Sequence, residues 1–219
     1  MKIPKFIFRT PFRLFNRMPQ RKPSVSLKNI PVGVCGVIGT SVAVFVAHQV
    51  GLISNRTYLE KLSIYTRKFF PPSLITSNFV HSFPLHLILN MASLFFIGRG
   101  VELFFGTQTF LLLFFLGSIV GGLAQLYSSR DKNHSINGDS AGVAALFGYS
   151  VFAFPHVKFG MLFIPIFLSG KTMLAIFLLL SLLGRDSNAF GVAHDSHIGG
   201  ALTGVLLFFA TKGKFRRWK

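Results

Sequence analysis

The sequence predicts an all-α fold in which six helices cross a membrane and pack into one bundle. Hydrophobic residues make up 51% of the chain, and charged residues only 13%. Apolar runs long enough to span a bilayer alternate with polar connectors, which is the pattern of a polytopic membrane protein. A soluble domain of 219 residues would need far more polar surface to cover its core.

Prolines, glycines and polar residues bound the predicted spans. Pro31 opens the first span, since proline suits the first turn of a helix. A polar connector, 54–80, contains the break Pro71-Pro72, and we expect amphipathic helix within it. The predicted spans are about 31–53, 84–105, 109–127, 140–154, 169–184 and 196–211.

Two polar segments and one broken apolar segment connect the later spans. Residues 128–139 are the most polar stretch inside the chain and predict a water-facing loop. Residues 185–195 predict a second polar loop. Residues 155–168 are apolar, but two prolines and a glycine interrupt them, so we expect a loop that dips into the membrane interface.

Positive charge is concentrated at the two ends of the chain, which contains 23 Lys and Arg against 6 Asp and Glu. The predicted organisation is a basic N-terminal segment, 1–30, a membrane domain, 31–211, and a basic C-terminal tail, 212–219. Six crossings put both basic ends on one side of the bilayer, as the positive-inside rule expects. The basic residues do not line one polar face, so nucleic-acid binding is disfavoured.

The N-terminal segment suggests a compartment. Residues 1–30 contain no acid, several Phe, and Ser and Thr, but lack the apolar core of a secretory signal. This composition is typical of a mitochondrial targeting segment. The alternative is a cytoplasmic basic tail on a bacterial membrane protein.

The fourth span is short. From Ser140 to Phe154 a helix covers about 22 Å, whereas the hydrocarbon layer is about 30 Å thick. Ser140 therefore begins below one interface, and the polar loop before it must descend into the protein. Such a loop is tolerated only where it lines a watery cavity.

Four polar residues inside apolar spans need an explanation, because polar groups in a membrane are costly. They are His86, Asn90, Ser140 and His197. His86 and Asn90 are four residues apart, so a helix places both on one face.

Small residues predict that the fourth and sixth spans lie close together. Ala144 and Gly148 follow Ser140 at helical spacing, and Gly200 and Gly204 follow His197. Such stripes let helix backbones approach closely. We therefore expect the imidazole of His197 to lie within hydrogen-bond reach of the serine hydroxyl.

A serine beside an imidazole is a nucleophile with its base. Attack on a carbonyl generates an oxyanion, which needs hydrogen-bond donors already in place. The side chains of Asn90 and His86 and the backbone N–H of Ser140 are candidate donors. The start of the fourth helix adds the positive end of its dipole.

Four segments in residues 81–204 resemble, in order, the motifs of the rhomboid intramembrane serine proteases. They are HSFPLHLILN, IGRGVELFFG, NGDSAG and SHIGGALTG. Each short pattern alone is common, but all four at consistent positions on six spans are specific.

This resemblance implies a six-helix core with a dyad of Ser140 and His197 and no required third carboxylate. It implies an oxyanion site formed by His86, Asn90 and the serine backbone N–H. The implied substrates are single-span membrane proteins, cut in or near the lipid bilayer, with no metal ion and no small-molecule cofactor. The basic head and the HDSHIGGALTG segment are most similar to the mitochondrial inner-membrane branch.

Three positions depart from the family pattern. Asp139 stands before the serine, where a small residue is usual, and Ala141 stands after it in place of glycine. Many bacterial members have an aromatic residue four positions after the serine, against which the histidine packs, and here that residue is Ala144.

Other roles for single residues are disfavoured. His194, Asp195 and His197 have a tolerable spacing for metal ligands, but no fourth ligand is evident. Asp139 as the acid of a triad is disfavoured, because a direct neighbour of Ser140 is expected to point elsewhere.

Several other polar residues are expected to have structural positions. We expect His81, His134 and His156 in loops or at the interface. We expect Arg99 and Glu102 to fix the loop after the second span.

Two other classes of function were weighed. A catalytically inactive rhomboid-like protein would bind transmembrane helices without cutting them, but such relatives usually lack the serine or the histidine. A transporter would need paired carboxylates at mid-membrane, and the predicted spans contain almost no acids. A plain helix-capping role for Ser140 conflicts with its predicted depth.

Overall fold

The computed structural model describes residues 30–129, 133, 135–161, 164–185 and 192–211. Six long helices within them form the bundle: α1 (Val32–Gln49), α2 (Pro84–Phe105), α3 (Thr107–Ser128), α4 (Ser140–Ala153), α5 (Gly170–Gly184) and α6 (His194–Thr211). By length and composition, α1, α2 and α3 are able to cross a membrane, while α4 and α5 are shorter apolar helices. The predicted helical membrane bundle is confirmed.

The helix bounds follow the predicted spans with small differences. α2 has the predicted bounds, and α4 begins at Ser140 as expected. α1 ends at Gln49 rather than near residue 53, because the chain leaves the helix at Gly51, whose φ of 80° is left-handed. α6 begins at His194 rather than near residue 196.

α4 lies at the centre of the bundle, and every residue from Ala141 to Val151 is buried. Its neighbours α3 and α6 approach through glycines. A Cβ on Gly204 of α6 would overlap the carbonyl oxygen of Ala145, and one on Gly117 of α3 would overlap the Ala145 side chain. These close contacts are the small-residue packing that the sequence predicts between the fourth and sixth spans.

Glu102 connects the start of α1 with the start of α3. One carboxylate oxygen accepts hydrogen bonds from the Gly33 N–H at 2.8 Å and the Thr107 hydroxyl at 2.6 Å. The other accepts from the Val34 N–H at 2.8 Å. The carboxylate thus caps α1 and holds the chain just after α2, in agreement with the expected structural role. Arg99 instead places its guanidinium over the ring of Phe95, 5.8 Å from the centroid.

The connector between α1 and α2 contains short helical turns and one short strand rather than a single amphipathic helix. The turns are Asn55–Thr57, Tyr58–Leu62, Ser73–Thr76 and Ser77–Phe79. The strand β1 (Ile64–Tyr65) pairs antiparallel with β2 (Ser135–Ile136) in the loop before α4. The Gly138 N–H also donates to the Ser77 carbonyl at 3.0 Å, so this connector holds the loop that leads to α4.

The sequence analysis expected a loop that dips into the membrane interface at 155–168, and the structure shows a hairpin within this segment. β3 (Lys158–Met161) pairs antiparallel with β4 (Ile164–Ser169). Strand pairing satisfies backbone groups that an apolar loop would leave without partners. The predicted basic ends lie outside the described residues, apart from Ile30, and so does His134.

Candidate active site

Ser140 and His197 meet where two helices begin. Ser140 is the first residue of α4, and His197 lies in the first turn of α6. The Nε2 atom of His197 is 2.9 Å from the Oγ atom of Ser140, which is a hydrogen-bond distance. A Cβ on Gly200 would overlap the Ala141 carbonyl, so the backbones of the two helices touch one turn beyond the pair. Both residues are partly buried, and neither is fully enclosed.

The start of α6 is held by a side chain that the sequence analysis did not single out. The Gln125 Oε1 atom on α3 accepts hydrogen bonds from the Asp195 N–H at 3.0 Å and the Ser196 N–H at 3.2 Å. It caps the first turn of α6 and fixes the backbone that carries His197. The available signal was its position, since Gln125 is a polar residue inside a predicted apolar span.

His86 and Asn90 lie against the backbone just before Ser140. Gly138 has a φ of 98°, and a Cβ on it would come within 2.8 Å of the His86 ring and 3.3 Å of the Asn90 Nδ2 atom. Only a glycine lets the chain pass so close to these two side chains. The structure therefore brings all four predicted site residues together at one end of the bundle.

An aromatic side chain on α5 packs against the ring of His197. The ring of Phe177 on α5 lies 5.6 Å from the ring of His197, with an angle of 30° between the planes. Ala144, four residues after Ser140, offers no ring at this place. The sequence could not indicate Phe177, because any of several Phe residues in the later spans could have faced the histidine.

Asp139 and His81 form a buried pair beside this site. Both side chains are 0% exposed, and the Nε2 atom of His81 is 3.4 Å from the Oδ1 atom of Asp139. Burial raises the pKa of the Asp139 carboxyl above its usual value, and the hydrogen bond from His81 opposes that rise. The described hydrogen bonds of the Asp139 carboxyl include His81 and neither Ser140 nor His197. His81 lies in a loop as expected, but it is fully buried, whereas His156 is exposed.

The residues considered as metal ligands have other contacts. The Oδ1 atom of Asp195 is 2.6 Å from the Nε atom of Arg185, which follows α5. The ring of His194 packs against Gly184 and lies 6.3 Å from the ring of His197. Within the described ranges, no three His, Cys, Asp or Glu side chains are grouped so as to hold a metal ion.

Comparison with known proteins identifies a shared family. The family model described as Rhomboid domain matches residues 64–214. The Rhomboid-like protease 3 of Toxoplasma gondii is 29% identical over 135 residues, which cover 61% of this chain and 49% of that protein. The Rhomboid protease GlpG of Pectobacterium atrosepticum is 27% identical over 79% of this chain and 60% of its own length. The GlpG of Haemophilus influenzae is 27% identical over 77% of this chain and 84% of its own length.

Proposed function

This chain belongs to the rhomboid family, and from that membership we propose that it is an intramembrane serine protease. The observation that carries the proposal is the 2.9 Å contact between the Ser140 Oγ and the His197 Nε2. A serine hydroxyl becomes a useful nucleophile when a neutral imidazole accepts its proton, and this contact is the geometry that such a transfer requires.

In the proposed reaction, the Ser140 Oγ attacks the carbonyl carbon of a substrate peptide bond while its proton passes to the His197 Nε2. The tetrahedral intermediate then collapses, the C–N bond breaks, and the imidazolium gives its proton to the leaving amine. Water attacks the acyl-enzyme with the same base and restores the serine. Gln125 and Phe177 hold the histidine backbone and ring during these steps.

The negative oxygen of the intermediate needs donors that are already oriented. We assign this role to the Asn90 amide, the His86 N–H and the Ser140 backbone N–H. The first two converge on Gly138, next to the nucleophile. The N-terminus of α4 adds its partial positive charge at the same point.

The length of α4 supports a reaction below the membrane surface. Its 14 residues cover about 21 Å, which is less than the roughly 30 Å of hydrocarbon. Because Ser140 is the first of these residues, it lies within the membrane when the far end of α4 reaches the opposite interface. In this proposal, the water that clears the acyl-enzyme enters from the side of the loop that precedes α4.

The proposed substrates are single-span membrane proteins with small residues and an easily unwound helix near the cut. The proposed location is the mitochondrial inner membrane, which rests on the acid-free basic composition of residues 1–30. A fluorescent fusion that carries only these residues tests the location. Accumulation outside mitochondria in a eukaryotic cell contradicts it.

The function is tested by co-expression with a single-span substrate. Ser140→Ala removes the nucleophile, so we expect no cleavage, with unchanged expression and thermal unfolding in detergent. Ser150→Ala is the matched control on the same helix, since Ser150 is 2% exposed and lies far from the dyad. Cleavage that persists in Ser140→Ala refutes the assignment.

A fluorophosphonate probe, which reacts with activated serines, separates the protease from a rhomboid-like protein that only binds transmembrane helices. The departures at Asp139 and Ala141 favour testing this second function. Labelling that is lost in Ser140→Ala supports the protease. A folded wild-type protein that takes no label supports the binding protein.

A further inference from the structure

The buried pair of Asp139 and His81 is unusual among the ion pairs of the described residues. The other described pairs, such as Arg185 with Asp195, have at least one partner that is substantially exposed. Asp139 and His81 are both 0% exposed. The Oδ2 atom of Asp139 and the Nδ1 atom of His81 are also buried without a hydrogen-bond partner. Burial of such groups is costly, so the pair is a poor source of stability.

Contacts on both sides fix the place of His81. Its Nε2 atom faces the Asp139 carboxyl, which favours the tautomer with a proton on Nε2. Its backbone carbonyl accepts a hydrogen bond from the Tyr58 hydroxyl at 2.6 Å. The Tyr58 ring in turn stacks on His48 at the end of α1, with 3.8 Å between centroids. The backbone of His81 is therefore anchored by Tyr58, and its fully buried ring is held by the contact with Asp139.

The edge of His81 meets the ring of His86. The two centroids are 5.1 Å apart and the ring planes meet at 61°, which is an edge-to-face contact. His86 in turn lies against Gly138, the residue before Asp139. Asp139 contacts His81, His81 contacts His86, and His86 lies against the backbone at Gly138, which adjoins Asp139 in the chain.

We propose that Asp139 and His81 are positioning residues that hold the ring of His86 against Gly138, so that the His86 N–H faces the oxygen that becomes negative at Ser140. This inference rests on the proposed protease function for its catalytic consequence. Asp139 acts as a hydrogen-bond acceptor for His81, and neither residue touches the substrate.

Two substitutions at one position test the acceptor role. Asp139→Asn retains an oxygen that accepts the His81 N–H, so we expect kcat within about threefold of the wild type. Asp139→Leu has a similar shape but no acceptor. We expect it to lower kcat about tenfold with little change in KM. Loss of a whole oxyanion donor costs about 100-fold or more, and a misplaced donor should cost only part of that.

The second arm of the experiment asks whether the effect passes through His86. In a His86→Ala background, Asp139→Leu is expected to lower kcat by less than about twofold, because the group that it positions is gone. His81→Gln keeps a donor for Asp139 but removes the ring edge, and we expect it to behave like Asp139→Leu. It also replaces Asp139→Leu if that variant does not fold. Equal losses in the wild-type and His86→Ala backgrounds overturn the proposal.

A measurement that does not depend on cleavage separates this inference from the proposed function. In Ser140→Ala protein with ¹⁵N-labelled histidine in detergent micelles, the signals of His86 report the environment of its ring. We expect one narrow set in the parent and in Asp139→Asn, and broadened or doubled signals in Asp139→Leu. Unchanged His86 signals in Asp139→Leu overturn the positioning role. Changed His86 signals in Asp139→Leu, together with a folded protein that retains Ser140 and cleaves no single-span substrate, support positioning and refute the protease function.

Discussion

Glu102 and Asp139 are the buried carboxylates of the described residues, and they lie at opposite ends of the bundle. Glu102 is near the end of α2, and Asp139 is near His86 at the beginning of that helix. Glu102 uses both oxygens, for three hydrogen bonds of 2.6–2.8 Å. Asp139 has one contact to His81 at 3.4 Å, and its second oxygen is unpaired.

This difference indicates that the two ends of the bundle have different roles, one in the stability of the fold and the other in the proposed reaction. A fully paired carboxylate that caps a helix stabilises the fold. A buried carboxylate with an unpaired oxygen costs free energy and indicates a local requirement other than stability. The end with Glu102 therefore supports the bundle, and the end with Asp139 carries the proposed reaction.

The largest effect is expected from a change that separates α4 from α6 at the catalytic end. Gly200→Val would force a branched side chain into the Ala141 carbonyl, so we expect a loss of at least about 3 kcal/mol of unfolding free energy and no cleavage. Thermal unfolding in detergent and a cleavage assay measure both. Gly39→Val on α1 is the control, since a Cβ there meets nothing within 4 Å. A stable, active Gly200→Val protein would show that the dyad does not need this contact.

The same change from carboxylate to amide at the two ends sharpens the comparison. Glu102→Gln places an NH₂ group where an acceptor is needed, so we expect a loss of about 2 kcal/mol of unfolding free energy. The kcat of the protein that stays folded should not change. Asp139→Asn should leave both the free energy of unfolding and kcat near the wild-type values, because only one carboxylate oxygen of Asp139 accepts a hydrogen bond.

Chemical denaturation and kcat per active site measure these two variants. Glu60→Gln, in an exposed cluster with Arg56 and Lys68, is the control and should leave the melting temperature unchanged. If kcat falls more in Glu102→Gln than in Asp139→Leu, the Glu102 end also contributes to the reaction. The proposed division, with stability at one end and chemistry at the other, is then wrong.

The smallest effect is expected at Phe177, which supports the base from α5. Phe177→Leu keeps an apolar side chain but removes the flat ring against His197, so we expect kcat to fall about fivefold, consistent with about 1 kcal/mol for a ring contact. Phe96→Leu, on an exposed face of α2, is the control and should have full activity. An unchanged kcat in Phe177→Leu would mean that Gln125 alone is enough to position the histidine.

The sequence predicted those parts of the fold that depend on local patterns. Apolar runs between polar breaks located α2 and the start of α4, and the small residues around Gly200 predicted the contact that joins the fourth and sixth spans. The hairpin of β3 and β4 was missed, because prolines and a glycine indicate a break but do not reveal strand pairing. The pairing of His81 with Asp139 and of Phe177 with His197 depends on helix rotation and loop paths, which one sequence does not specify.

The burial of the middle of α4 has a consequence for how the surrounding membrane acts on this protein. From Ala141 to Val151 the helix is buried by other protein segments. A change in lipid thickness or fluidity therefore reaches this part of α4 by shifting the outer helices, above all α5, whose side chains Leu179 and Leu183 are exposed. The ring of Phe177, which packs against His197, lies on this outer helix, so the lipid acts on the proposed base through α5.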